Sequence, residues 1–481
     1  ERPPAPPAMT DIATPSGGAR ERMATALRQA VNLRHSAQAG KVLRGGVWSI
    51  SGYAVQTALR FISRIVLAKL LLNAAPLGTV AVVTTILMGL EMISDLGINV
   101  NIVQHRDGAD PNFLGTARAV QLIRSATLFT IAAALAYPIS WIYRDPELAP
   151  LLLFGAVSVI CRGFVNPRLA VHTRQVTLRR PTIVIIISEL AGFIVTVAWA
   201  FKAPSAWPLV GGAVATAAAY ALASQFAAAP VKLAWDRAVA KEIVRFGGWI
   251  ILATGTYFLS SRGEVLMLKG SVPDVEFGCF AFASMLVTTP LSAITQLGSQ
   301  VLLPMLAGWI RDGASTAERQ FRRVKWAFTG LSVCVAWGAI LLSPPLIALL
   351  HLNKSYAALG WMVQFLGFRV AFDIFAMPVS SALLASGASR YSAIANVVRL
   401  MVLIAGLFIT VHLRRLGLHG AIWVLVGAPY LAYLALLPGL RRHLRQAPGL
   451  EVMTAVTFIA GGAAAAAVAL MLGGIWNSGG F

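Results

Sequence analysis

Residues 59–72 read LRFISRIVLAKLLL. The stretch is apolar enough to lie in a bilayer, yet Arg60 and Arg64 stand one helical turn apart within it. Working outward, residues 45–71 form the first of thirteen apolar runs. The others cover 77–103, 113–142, 147–171, 181–201, 207–228, 245–268, 276–309, 325–350, 355–386, 390–411, 418–438 and 451–474. Such runs can cross a hydrocarbon core of roughly 30 Å. They are too long for barrel strands, and only a helix satisfies its own backbone there. Hydrophobic residues make up 57% of the 481-residue chain and charged residues 12%, about half the share in a soluble domain. The expected fold class is an all-α polytopic membrane protein.

Charge orients it. With the N-terminus cytoplasmic, the inward segments hold Arg20, Arg22, Arg28, Arg34, Lys41 and Arg44, then Arg174, Arg179 and Arg180. Lys232, Arg237 and Lys241 follow, then Arg311, Arg319, Arg322 and Arg323, then Arg441, Arg442 and Arg445. Outward loops carry single cations, Arg144, Lys202, Lys269 and Lys354, with Arg414 and Arg415 the exception. This lysine and arginine bias is the usual signature of cytoplasmic loops, and it accounts for much of the +21 net charge without nucleic acid.

The longest early inward connection, APVKLAWDRAVAKE (229–242), divides six spans from the next six. The halves begin alike, with GG at 45–46 and 247–248, then Arg60 and Arg262 at the same offset, then Leu77-Gly78 and Phe277-Gly278 at nearly that offset. A six-plus-six repeat with its site between the halves is a common transporter plan. The division expected is a basic cytosolic tail (1–44), an N-lobe (45–228), a linker (229–244), a C-lobe (245–438) and an extra C-terminal span (439–481).

On the first span Ser49, Tyr53, Gln56, Arg60 and Arg64 recur every three or four residues, within about a quarter of the helix circumference. Each mid-span arginine costs about 2.5–3.5 kcal/mol on insertion scales, so two on one face mark a site or an ion-pair seam. Glu91 and Asp95, one turn apart on the second span, are candidate partners or ion-coupling residues, as are Glu264 and Asp373. Arg369 and Asp373 are four apart and are expected to pair with each other. Arg399 shares a face with Ser392 and Asn396. The eighth span aligns Thr288, Ser292, Thr295 and Ser299, with Gln296 beside them. These suit sugar hydroxyls and equally ordinary helix packing. Embedded cations outnumber embedded acids, so a cavity among Arg60, Arg64, Arg262, Arg369 and Arg399 would favour anions, and a guanidinium fork grips phosphate oxygens well.

Enzyme signatures are missing. The chain has no phosphate-binding GxxxxGK[ST] loop, no HExxH and no metal-type cysteine spacing. No cofactor, metal or catalytic residue is expected. Cys161, Cys279 and Cys334 read as small core residues.

MISDLGINVNIVQ (92–104), LAVHTRQVTLRRPTIVIIISELAGFIVTVAWA (169–200), VRFGGWIILATGTYFLSSRGEVLMLKGSVPDVEFGCFAFASML (244–286) and VLLPML (301–306) occur in order. With them, residues 43–440 resemble the bacterial polysaccharide and oligosaccharide flippases of the multidrug/oligosaccharidyl-lipid/polysaccharide exporter superfamily. The resemblance implies two six-helix lobes forming a V around a central cavity that opens to one side at a time. It implies passage of a polyprenyl-diphosphate-linked oligosaccharide from the cytoplasmic to the outer leaflet of the inner membrane, for exopolysaccharide or O-antigen assembly. Membrane lipid, a coupling ion (Na+ or H+) and polymerase and glycosyltransferase partners follow as expectations. Members commonly have twelve or fourteen spans, against thirteen here. Competing readings are a lipid II flippase, a drug/cation antiporter and a membrane-embedded glycan polymerase. The arginine excess opposes the second, and the short outward loops oppose the third.

Overall fold

The computed structural model describes residues 46–175, 177–312, 314–350, 356–413, 416–444 and 448–478. The N-terminal tail expected over 1–44 and the Arg414-Arg415 pair lie outside them. Residues 46–70 form α1. Then come α2 (Ala75–Ile93), α3 (Ile98–Gln104), α4 (Pro111–Tyr143), α5 (Leu148–Gly163), α6 (Arg168–Arg174), α7 (Arg179–Lys202) and α8 (Trp207–Ala227). The second half is α9 (Arg237–Leu268), α10 (Asp274–Asp312), α11 (Ala314–Leu350), α12 (Leu359–Ala385), α13 (Ser389–Leu407) with a π turn (Phe408–Leu413), α14 (Gly417–Leu434), α15 (Leu437–Leu444) and α16 (Pro448–Ser478). Among the described residues, eight helices are long and apolar enough to span a membrane, and the bent pair α5–α6 would make a ninth. The protein is an all-helical, multi-pass membrane protein.

Two expected spans are broken. The second stops at Ile93, where Gly97 at φ 59° takes the left-handed turn that glycine tolerates, and restarts as α3. The Asp95 Oδ1 accepts the Gly97 N–H at 2.9 Å and fixes that turn. The fourth bends by 65° between α5 and α6. The linker is shorter than expected, because Asp236 caps α9 by accepting from the Ala238 and Val239 amides. Residues 237–244 are therefore helix. What remains of the linker is held to α4. The Arg118 side chain donates to the Val231 carbonyl, and Asn112 donates to Asp236 at 3.3 Å.

Two lobes result. In the first, α7 and α8 lock closely. A Cβ on Gly192 would lie 1.8 Å from the Thr216 hydroxyl, and one on Gly212 would lie 1.8 Å from that of Thr196. Small residues at this spacing let helices approach in lipid. In the second lobe α10, α11 and α14 surround α12, and α16 packs on α11. The lobes meet where α2 crosses α9 and α10. There the repeat-matched glycines face one another. A Cβ on Gly78 would come within 2.7 Å of Phe277, and one on Gly278 within 1.9 Å of the Ala74 carbonyl. The largest apolar cluster continues across this junction, from Leu67 and Leu71 to Phe277 and Phe280.

Beyond that junction, just past α9, Lys269 is buried between Asp145 and Asp274, with its Nζ 2.8 Å from each. Burial opposes the charge, but the hydrogen bonds that Lys269 donates to Asp145 and Asp274 outweigh that and hold the ammonium above the ordinary lysine range. The Tyr143 hydroxyl donates to the Leu266 carbonyl beside it, at 2.8 Å. This end of the molecule is zipped shut. At the opposite end, which carries the basic connections, Ala240 and Ile243 of α9 pack into an apolar cluster with α3 and α4. Thr254 donates to the Met92 carbonyl at 2.7 Å, and His105, stacked on Phe113, meets Glu242 at 3.2 Å.

Candidate functional site

The polar face of α1 faces two neighbours. Tyr53 donates to the Ser292 hydroxyl of α10 at 2.8 Å, so the seams on the first and eighth spans meet across the lobes. One turn on, Gln56 donates to Glu189 of α7 at 2.7 Å, and the Arg60 Nε donates to the other Glu189 oxygen at 3.0 Å. Glu189 is buried, while the Arg60 side chain is 53% exposed. The expected carboxylates of the second span do not reach Arg60 or Arg64. Glu91 instead accepts from Arg162 of α5 at 2.7 Å. Arg124 of α4 donates to the Glu91 carbonyl at 2.7 Å and to the Ser94 hydroxyl, filling the open carbonyl end of α2.

These groups line a cavity of about 630 Å³ inside the first lobe, between α1 and α8. Its charged lining is Arg60, Arg124 and Arg162 against Glu91, Asp95 and Glu189. It is balanced in charge.

The second lobe buries one of its pairs more deeply. Arg369 grips Glu264 of α9 with two parallel hydrogen bonds of 2.8 and 3.1 Å, both groups buried. It does not pair with Asp373. Four residues advance a helix by about 400°, so Asp373 points some 40° away. There it meets Arg399 of α13 at 3.3 Å. An arginine N-terminal to its acid is also the weaker order along a helix.

Two arginines remain. Arg64 lies close enough to Arg60 and Arg262 to be repelled by both. Among the described residues neither Arg64 nor Arg262 has a hydrogen-bond or carboxylate partner. One belongs to α1 and the other to α9, so the uncompensated charge stands between the lobes. Of the remaining expected residues, Ser49 and Asn396 are half-buried. Thr288 donates back to the Ser284 carbonyl of its own helix. The Thr295 and Gln296 side chains lie outside the described residues. Cys279 is buried, but Cys334 is exposed and not a core residue. Among the described residues no group of three His, Cys, Asp or Glu side chains could hold a metal ion.

A sequence profile of a family described as "Polysaccharide biosynthesis protein" matches residues 66–357, more than half of the chain. The chain belongs to that family. No curated protein matches it. Among solved structures, the lipid II flippase MurJ in an inward closed conformation aligns at a TM-score of 0.66 and 13% identity, covering 89% of this chain and 98% of that one. An inward-facing multidrug-resistance MATE transporter of the MOP superfamily aligns at 0.62 and 17%, covering 83% and 99%. A MOP superfamily transporter from Pyrococcus furiosus, described as having a binding pocket of reverse polarity, aligns at 0.58 and 16%, covering 85% and 96%. At these identities the likeness is one of fold, and this chain shares the two-lobed helical architecture of those structures.

The structure also reveals a network that the sequence left unread. Lys325 of α11 is wholly buried, with its ammonium 2.8 Å from the Tyr433 hydroxyl and 3.2 Å from Glu451 of α16. Its partners lie 108 and 126 positions away, and both charged residues fall at expected span ends, where a solvated charge is the ordinary reading.

Proposed function

We propose that this polysaccharide biosynthesis protein is a flippase that carries a polyprenyl-diphosphate-linked oligosaccharide from the cytoplasmic to the outer leaflet of the bacterial inner membrane. The observation that carries the reading is the Arg64–Arg262 pair. Two permanent cations, one from each lobe, lie within range of mutual repulsion, and neither has a carboxylate partner among the described residues. Like charges held together in a membrane protein are costly unless an anion joins them. A diphosphate carries enough oxygens to take both forks, and it would draw the lobes together as it binds. About three turns back along α1, the Tyr53–Ser292 contact offers hydroxyls for sugars further along the glycan. The lipid tail stays in the bilayer, and rocking of the lobes about the fixed site exposes it to each side in turn. The zipped end around Lys269 is then the outer gate, with the N-terminus cytoplasmic. Membership of a polysaccharide biosynthesis family supports a glycan cargo. Among the four acids considered for ion coupling, Glu91, Glu264 and Asp373 each hold an arginine. Asp95 is left as the residue for a coupling ion.

The test is thermal stability of the purified protein with a short-chain polyprenyl-diphosphate-linked sugar and, separately, with a lipophilic organic cation. A ligand that binds only the folded state raises the apparent Tm. The diphosphate should raise it in the wild type and not in Arg64→Ala/Arg262→Ala. A rise with the cation alone would overturn the reading.

A further inference from the structure

We propose, building on the flippase reading, that the cavity inside the first lobe holds the sugars next to the diphosphate and selects uncharged, hydroxyl-rich ones. Its position supplies the first reason. Gln56 and Arg60 of α1 line it, and Arg60 stands about 6 Å along the helix from Arg64. A glycan leaving a diphosphate at Arg64 and Arg262 therefore meets this cavity before it reaches Tyr53 and Ser292. The volume of about 630 Å³ falls within the range of roughly 300–1,000 Å³ typical of small-molecule sites. A bare ion would leave most of it empty.

The broken spans are the second reason. Interrupted helices at membrane depth are tolerated where they line a cavity, and transporters commonly form their sites at such breaks. Both breaks of the first lobe open on this one cavity. Asp95 and Gly97 line it from the gap between α2 and α3, and Val165 and Asn166 from the bend between α5 and α6. Each break is built into the fold. Asp95 fixes the first through the Gly97 N–H. The wholly buried Asn166 fixes the second, accepting from the Arg168 N–H at 3.0 Å and donating to the Ala229 carbonyl at 3.1 Å.

The chemistry of the wall chooses the ligand. A sugar hydroxyl both donates and accepts, so its site needs groups of both kinds. Arg124 keeps its Nη1, and Arg162 its Nη2, without a partner among the described residues. The Glu91 Oε1, the Gln121 Oε1 and the Tyr220 hydroxyl are likewise open there. These atoms keep accessible surface, so a guest in the cavity can reach them. An apolar guest would strand them, and an unmade hydrogen bond costs more than a made one gains. Arg60, Arg124 and Arg162 are matched by Glu91, Asp95 and Glu189. A sugar bearing a carboxylate would add an acid with no spare wall cation to meet it. None of these contacts uses Asp95, which stays available to a coupling ion.

Binding of short-chain polyprenyl diphosphates to the purified full chain tests this. One probe is bare, one carries an uncharged hexose (glucose or galactose), and one carries glucuronic acid. The better hexose probe should bind about tenfold tighter than the bare diphosphate, and the glucuronic acid probe no tighter than the bare one. Tyr220→Phe removes only an open hydroxyl, and Asn99→Trp fills the cavity from an exposed position on its wall. Each variant should melt like the wild type and bind the bare diphosphate unchanged. Asn99→Trp should lose the whole sugar-dependent gain, and Tyr220→Phe should lose part of it. A bare diphosphate that binds as well as the hexose probe would overturn this proposal and leave the flippase reading standing. So would a gain that survives both substitutions, or a glucuronic acid probe that binds as tightly as the hexose one. Binding of none of the three would sink the flippase reading with it.

Discussion

The two lobes neutralise their embedded charges in different ways. In the first, Arg60–Glu189 and Arg162–Glu91 flank a cavity, and the arginines are 53% and 57% exposed. In the second, Arg369–Glu264 is 10% and 4% exposed, and Lys325–Glu451 is 0% and 9%. A pair that water can reach is exchangeable, since hydration replaces a lost partner. A dry pair is a structural joint, because losing one member strands a charge. The difference teaches which arginines can act on a passing anion. The first lobe's can release their acids, and the second lobe's dry Arg369 cannot.

The strongest test of that contrast is Glu264→Ala. It strands Arg369 in a dry site and should cost about 3–5 kcal/mol, read as a large fall in Tm or as failure to recover folded protein. A Tm within a degree or two of wild type would erase the distinction between lobes. Glu189→Gln is intermediate. It keeps the shape and releases Arg60 beside Arg64, so stability should fall by about 1 kcal/mol while the diphosphate-dependent rise in Tm grows. A smaller rise would mean that Glu189 positions Arg60 for the anion instead of competing with it. Arg162→Ala should do least. An exposed pair is worth about 0.2–1 kcal/mol, and its loss should shrink further as salt is raised. A salt-independent loss as large as that of Glu264→Ala would show that the first lobe's pairs are dry after all.

Much of this was legible from the chain alone. Apolar run lengths gave the helical membrane class, because a span must satisfy its own backbone whatever surrounds it, but not the breaks between α2 and α3 or between α5 and α6. The three-to-four spacing of Ser49, Tyr53, Gln56, Arg60 and Arg64 marked the inward face of α1. Pairing was not legible. The partners of Arg60, Arg369 and Lys325 lie 129, 105 and 126 residues away, on helices whose rotation about their own axes no local pattern fixes. The local rule even misdirected Arg369 towards Asp373, since a 40° offset on α12 was enough to turn the two towards different neighbours. Lys325 and Glu451 escaped notice because a charge at the end of an apolar run looks like the place where the run meets water. Here both ends fold back under aromatic rings, with Lys325 3.6 Å from the centre of Phe375.

Gly78 and Gly278 lie at nearly the same offset in the two halves and press on the same junction. In genetic terms they behave as one locus. A side chain at either position wedges the same helices apart, so the second substitution acts on a contact already lost, and the double variant should be little worse than the poorer single one. A suppressor of one would also relieve the other. That shared fate, expected between residues 200 positions apart, follows from their meeting at one junction.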